Sequence, residues 1–137
     1  MEFALVGMVV IVLMFGVLEV GFLMSNTLTL NNAAFEGVRA VSLHKGEADA
    51  TTAIQRAAAS LNSAYIGAIV FEKRTGSGEW TVWHPSSASP LSGDDWQVRV
   101  TVPYSYHYVT GSLIGNIIGN GDPNVRALQG TAVMRYR

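Results

Sequence analysis

Residues 1–24 read MEFALVGMVVIVLMFGVLEVGFLM, and this apolar stretch decides the fold. Its only charged residues are Glu2 and Glu19. At a rise of about 1.5 Å per residue, the stretch predicts a helix of roughly 36 Å, enough to cross a hydrocarbon core of about 30 Å. A helix that is apolar on every side belongs in lipid or inside a protein assembly.

A secretory signal peptide and a plain single-pass anchor are the simpler interpretations. A signal peptide is disfavoured because the stretch is long, has no basic residues and is not followed by a small-residue cleavage motif. A single-pass anchor stays open. The helical pattern continues through residues 25–43, however, which lack proline and place Leu30, Ala34, Val38 and Val41 at three- and four-residue spacings. We therefore predict one helix of roughly 60 Å over residues 1–43, which suits a subunit that leaves the membrane and packs into a filament.

The composition argues against several kinds of function. The chain has 137 residues and a net charge of −1, and its nine Lys and Arg residues are scattered, so no nucleic-acid partner is predicted. It has no cysteine, which excludes disulfides, thiol catalysis and cysteine-ligated zinc. His44, His84 and His107 lack metal-ligand spacing, and no catalytic set of side chains is visible. We predict no enzyme activity, no metal and no cofactor.

Small residues along the helix predict close packing. Gly16 and Gly21 lower helix propensity but let neighbouring helices approach. Ala33 and Gly37 predict a further seam, either against the C-terminal domain or against another subunit. Glu19 is costly in a membrane-length helix, so we expect it at the headgroup level or against a cation or donor of a neighbouring subunit.

Residues 44–137 predict a small head built from one helix and several strands. His44, Lys45 and Gly46 end the first helix, with the glycine as the stop signal. Pro103 predicts an edge or a bend in the third strand. The apolar patterns predict a second helix at 47–62 and antiparallel strands at 65–73, 79–84, 96–108 and 126–137.

Two features of the head allow competing interpretations. Tyr104, Tyr106 and Tyr108 share one face of the third strand, where core packing is favoured over an adhesive aromatic surface. Residues 119–124 contain oxygen ligands of the kind calcium uses, but they lack the full calcium-loop pattern. A simple turn is favoured there.

Three sequence blocks resemble the N-terminal signature of TadE-like proteins. Residues 2–6 (EFALV), 16–21 (GVLEVG) and 33–40 (AAFEGVRA) follow the order and spacing of the family pattern V-E-F-A-L-V, G-x-x-E-x-G and A-A-x-E-G-x-R. The closing residues 130–135 are similar to family ends of the type T-A-T-A-x-M-R. TadE-like proteins are pilin-like, or pseudopilin, subunits of the tight-adherence (Flp) type IV pilus systems.

The resemblance implies an α+β, type IV pilin-like fold, with a long N-terminal hydrophobic helix, a short second helix and a small antiparallel sheet of about four strands. It also implies a structural subunit, held in the bacterial inner membrane before assembly and then part of an extracellular pilus filament at the cell surface. The expected partners are copies of itself or other pilin subunits, the pilus assembly machinery and prepilin peptidase. Family precursors carry a basic leader before the cleavage site, whereas Glu2 is almost the first residue here, so we expect a processed chain or unusual processing.

The resemblance further implies that Glu2 faces the α-amino group of an adjacent subunit, where two buried charges are tolerable as a pair in one register. Glu19→Ala and Glu2→Ala are expected to leave the chain folded and in the membrane but to reduce filament yield. A loop patch around Leu113 and Ile117 is expected to contact a neighbouring subunit. The full expected subunit interface is Glu2, Phe3, Leu5, Gly16, Glu19, Gly21, Ala33, Glu36, Gly37, Arg39, Leu113 and Ile117.

The main alternative is a membrane-anchored binding or adhesin module that does not polymerise. An anchored enzyme is a third, less supported class. Within the pilus interpretation, the resemblance favours a minor subunit over the main repeating one, because the major subunits of these systems are usually shorter.

Overall fold

The computed structural model describes residues 2–87, 91, 95–109 and 125–136. The strands form one antiparallel sheet in the order β2-β1-β3-β4. This confirms the predicted α+β class, with a long apolar helix, a short second helix and four strands. The elements are α1 (Glu2–Ser42), α2 (Glu47–Ala57), a 3-10 turn (Ser63–Tyr65), β1 (Val70–Thr75), β2 (Thr81–Val82), β3 (Trp96–His107) and β4 (Val125–Arg135).

Helix α1 is unbroken over 41 residues, or about 60 Å. It ends because His44 adopts a positive φ of 61°, after which the His44 and Lys45 N–H groups donate back to the carbonyls of Val41 and Ala40. This is the Schellman arrangement, with histidine where glycine is usual. The predicted stop at Gly46 is therefore wrong: Gly46 has an extended backbone and precedes the first turn of α2.

One face of the sheet carries the core. The predicted apolar stripe of α1, formed by Leu30, Ala34, Val38 and Val41, is fully buried. It packs with α2 on the face of β3 that carries the alternate residues from Val98 to Tyr108, including the tyrosine row. Core packing of these tyrosines is thus confirmed.

Helix α1 lies lengthwise along β3 and β4. Glu19 contacts Tyr106 near the end of β3, whereas Gly37 lies against Val100, nearer its start. Helix α1 therefore runs antiparallel to β3 and parallel to β4. The closest approach is at Gly130, where a Cβ atom would lie 2.2 Å from the backbone of Leu30, so only glycine fits there.

Several predicted boundaries are wrong. Helix α2 ends at Ala57 rather than residue 62. The chain then forms the 3-10 turn, in which Asn62 Oδ1 accepts from the Ala64 N–H, so β1 begins at Val70 rather than residue 65. Strand β2 is only two residues long instead of 79–84. The segments with wrong boundaries are short. Local turns, rather than strand pairing, satisfy the backbone hydrogen-bonding groups of residues that the alternating pattern had assigned to strands.

Pro103 lies in the interior strand β3, at a position where β3 has a continuous ladder partner on only one side. The ladder between β1 and β3 ends at Thr101, and beyond it the described residues contribute only the bridge from Ile66 to Tyr104 and a hydrogen bond from the Gly67 N–H to the Pro103 carbonyl. The missing N–H of Pro103 therefore costs no ladder hydrogen bond.

Candidate functional site: the exposed face of α1 and its buried carboxylate

The first part of α1, from its first residue to Glu19, projects beyond the head, and we call it the projecting part. Phe3 is 90% exposed and Val17 is 73% exposed, and the distance from Phe3 to Glu19 along the helix is about 24 Å. Within the described residues, α1 is the one helix long and apolar enough to cross a membrane. This fits membrane anchoring. The exposed apolar residues of this part are Phe3, Val6, Met8, Val9, Val10, Ile11, Val12, Leu13, Met14, Phe15, Val17 and Leu18.

A narrower apolar stripe continues on the head half of α1. Met24, Leu28 and Phe35 are 67%, 59% and 50% exposed. Their spacings of four and seven residues place them on one side of the helix, about 100° around the axis from the side that Leu30 and Val38 bury. We call these three residues the upper stripe. With the projecting part, they expose apolar surface along about 48 Å of helix, from Phe3 to Phe35.

Glu19 lies where the projecting part meets the head, and it is 1% exposed. The Tyr106 hydroxyl donates to Glu19 Oε1 at 2.5 Å, and the Val109 N–H donates to the same oxygen at 3.1 Å. A carboxyl group is costly to remove from water unless it is hydrogen-bonded. These two donors therefore join the end of β3 to α1 at the base of the head.

Burial raises the pKa of Tyr106 above its usual value, and the hydrogen bond to Glu19 raises it further. The phenol therefore keeps its proton and acts as the donor. The neighbouring Tyr108 ring packs edge-to-face on Tyr106, with centroids 5.7 Å apart. In contrast, the buried Tyr108 hydroxyl has no hydrogen-bond partner within the described structure.

The structure gives Glu19 a donor from its own chain, which is neither of the two predicted placements, the headgroup level or a partner on a neighbouring subunit. This changes the expectation for Glu19→Ala. Removing the carboxyl group would leave the buried Tyr106 hydroxyl without this acceptor, so the fold itself should be weakened. Sequence reasoning missed Tyr106 as a partner. The available signal was its place on the core face of β3, because a buried tyrosine hydroxyl usually needs a partner.

The small residues divide into two groups. Ala33 and Gly37 are buried against the chain's own head, and a Cβ atom on Gly37 would meet the Ile54 side chain at 2.6 Å. This is one of the two placements predicted for that seam. A Cβ atom on Gly16 or Gly21 would meet nothing within 4 Å, so their surfaces are open to lipid or to another helix.

The remaining predicted interface residues are partly described. Glu36 and Arg39, both predicted interface residues, form an i, i+3 ion pair at 3.8 Å on the surface. The loop patch around Leu113 and Ile117 and the segment 119–124 lie outside the described residues, as do the side chains of Glu2 and Leu5. Their predicted roles stay predictions.

Residues 1–39 match the family model of TadE-like proteins. The matched segment contains the whole projecting part of α1, Glu19 and the upper stripe. The resemblance expected from the sequence is thereby confirmed for this segment, and it indicates involvement in Tad pilus systems. No curated protein and no solved structure shows significant similarity to the chain.

Proposed function

We propose that this chain is a structural subunit of an extracellular Tad-type pilus filament and that it polymerises through α1. The observation that carries the proposal is the length of the exposed apolar surface. About 48 Å of it must be covered, whereas a hydrocarbon core is about 30 Å thick. To bury all of it in lipid, α1 would have to tilt by roughly 50°, beyond the usual 0–40° range of membrane helices.

A filament core covers the same surface without such a tilt. Before assembly, the projecting part lies in the inner membrane and the head lies outside it. After assembly, the projecting part and the upper stripe both pack on α1 helices of other subunits. Lipid and helix bundle are equally apolar, so the net free energy comes from helix packing, buried polar pairs and head contacts. The open surfaces of Gly16 and Gly21 permit the close approach that such packing needs.

The test is a charge in the upper stripe. Phe35→Asp is expected to leave the head folded and the chain in the membrane, since Phe35 faces away from the core. Its incorporation into sheared filaments should fall by about tenfold or more, because burying an unpaired carboxylate costs several kcal/mol. Thr52→Asp on α2 is the matched control, an exposed helical residue of the head that gains the same charge.

Normal incorporation of the Phe35→Asp chain into sheared filaments would contradict the proposal. The competing function would then be a membrane-anchored binding module that does not polymerise. One observation favours such a module: on the sheet face away from α1, Trp80 stacks against the guanidinium groups of Arg74 and Arg99, each 4.4 Å from the ring centroid. Aromatic and arginine side chains are enriched in recognition surfaces. A chain that stays monomeric in detergent would support this alternative. Neither function includes catalysis.

A further inference from the structure

We propose that neighbouring copies of this chain join their sheets edge to edge, with β4 of one copy antiparallel to β2 of the next and Val133 opposite Val82. This inference rests on the proposed polymerisation and adds the surface by which the heads meet. The projecting part of α1 and the upper stripe play no part in it. Three features of the head support it: the two edges of the sheet, the row of paired residues that joins these edges, and the direction of α1.

Strand β4 forms one edge of the sheet and is 11 residues long. The Tyr136 N–H donates to the Trp96 carbonyl, so the backbone N–H and C=O groups of even-numbered β4 residues hydrogen-bond to β3, and those of odd-numbered residues point toward the outer edge. Among the described residues, the Thr131 N–H is covered by Asn31 Oδ1 at 3.4 Å. Within the part of the chain that the structure describes, the backbone of Val133 has no such cover. A long uncovered edge is a template for another strand.

The opposite edge is β2. The Trp83 N–H donates to the Phe71 carbonyl, so the backbone groups of Val82 point outward. Strand β2 has only two residues, which suits a partner whose open edge is equally short. Asn31 covers the backbone at Thr131, and Val133 is the next residue of β4 whose backbone groups point to that edge.

Val82 and Val133 lie at the two ends of one row across the sheet. Val82 pairs with Glu72, Glu72 with Arg99, and Arg99 with Val133. Both valines point to the face away from α1, and they are 68% and 50% exposed. A sideways copy of the chain brings them together as a cross-strand β-branched pair, which is a stabilising contact in sheets. Both have outward backbone groups, so they would form a hydrogen-bonded pair.

The direction of α1 selects this contact over a symmetric one. Strand β4 runs parallel to α1. Strand β2 lies three antiparallel pairings away from β4, across β3 and β1, so it runs antiparallel to α1. Joining β4 to β2 of the next copy is therefore antiparallel while every α1 points the same way. Antiparallel pairing of two β4 edges would instead make the α1 helices of the two copies point in opposite directions. This is not possible for helices that share one membrane orientation. The β4–β2 contact is head-to-tail, so it continues from copy to copy.

The contact is small, as a repeated filament contact can be. Pairing Val133 with Val82 gives one hydrogen-bonded pair with about two hydrogen bonds and sets Arg135 opposite Trp80. A shift by two residues would keep every side chain on its face and move the copy by about 7 Å along the strands. The exposed valine pair favours the unshifted register.

A disulfide can report the register because the chain has no cysteine of its own. Within one copy, Val82 and Val133 are three strand spacings apart, about 14 Å, which is too far for a disulfide. Between copies, a hydrogen-bonded antiparallel pair brings the Cα atoms to about 5.5 Å, which a disulfide can bridge. The full chain carrying V82C and V133C is expressed in piliated cells and oxidised, and its filaments are analysed without reductant.

The expected result is a ladder of dimers, trimers and longer species, at least tenfold more abundant than with V82C and A127C. Ala127 is the matched control, since it is exposed on the same edge and face but lies six residues, about 20 Å, further along β4. Each single-cysteine chain should stay monomeric. Filaments that contain the double variant without a ladder would overturn the edge contact and leave polymerisation through α1 intact. An equal ladder in the control, or dimers from either single variant, would also overturn it. If the chain is absent from filaments and forms no ladder, both proposals fail.

Discussion

Tyr106→Phe removes one hydroxyl group from the junction between α1 and the sheet and leaves the ring in place. The lost interaction is a buried 2.5 Å hydrogen bond to the Glu19 carboxyl group. Hydrogen bonds to charged groups contribute about 1.5–3 kcal/mol, and Glu19 keeps the Val109 N–H as a donor. We therefore expect a loss of about 2 kcal/mol in the free energy of unfolding of the head.

Tyr108→Phe is the matched control for this prediction. The same chemical change, two residues further along and on the same face, removes a buried hydroxyl that lacks a partner in the described structure. Deleting an unpaired buried polar group is neutral or stabilising. The two variants should therefore change stability in different ways although both convert tyrosine to phenylalanine.

Urea unfolding of the full chain in detergent micelles measures both effects. Tryptophan fluorescence reports on the head, because Trp80, Trp83 and Trp96 all lie there. A loss of about 2 kcal/mol lowers the midpoint by roughly 1 M urea or more for a domain of this size. Equal midpoints for Tyr106→Phe and Tyr108→Phe would refute the role assigned to the buried carboxyl group.

Three further predictions concern the helix packing, the sheet and the filament. Gly130→Ala should destabilise the head by roughly 3 kcal/mol because the new methyl group meets the α1 backbone. Gly37→Ala meets the buried Ile54 side chain, which can shift more easily than a backbone, and should cost less, about 1–2 kcal/mol, as compared by thermal unfolding. The hydrogen bond from Arg99 holds the pKa of Glu72 below 4.5, so the pair stabilises the fold above pH 4.5 and loses this effect as the pH falls through the lowered pKa. Glu72→Gln should therefore have a lower urea midpoint of unfolding than the natural chain at pH 7, and the same midpoint in strong acid. A difference between the two midpoints that persists in strong acid would contradict this. Met24→Asp should reduce filament incorporation as Phe35→Asp does while leaving the urea midpoint unchanged, and a lower midpoint would show that the upper stripe is part of the fold.

The sequence predicted the parts of the structure that follow from local periodicity. The buried stripe of α1 from Leu30 to Val41 recurs at helical spacing, and the alternation of β3 placed the tyrosines on the core face. The partner of Glu19 could not be predicted in this way, because Tyr106 is 87 residues distant and only the folded sheet brings it to α1. The end of α1 was predicted to within one residue, but the residue that stops it was not, because a histidine adopts the positive φ that the nearby glycine was expected to supply.

The exposed side of α1 shows a second limit of sequence reasoning. Met24, Leu28 and Phe35 also recur at helical spacing, so the apolar pattern alone does not distinguish them from the residues that the head buries. Only the position of the sheet reveals which of them the head covers and which stay exposed. The residues predicted for a subunit interface therefore separate into two groups. Ala33 and Gly37 hold the head on α1, and the outward residues remain available to other subunits.

Quantitative mass spectrometry of filaments sheared from intact cells tests the central claim most directly. The proposed function predicts that peptides of this chain copurify with the filaments, including peptides from the projecting part of α1. The edge contact further predicts enough copies for this chain to lie beside itself, rather than a trace amount beside a shorter subunit. A chain that is present in membranes and absent from filaments would contradict the proposed polymerisation.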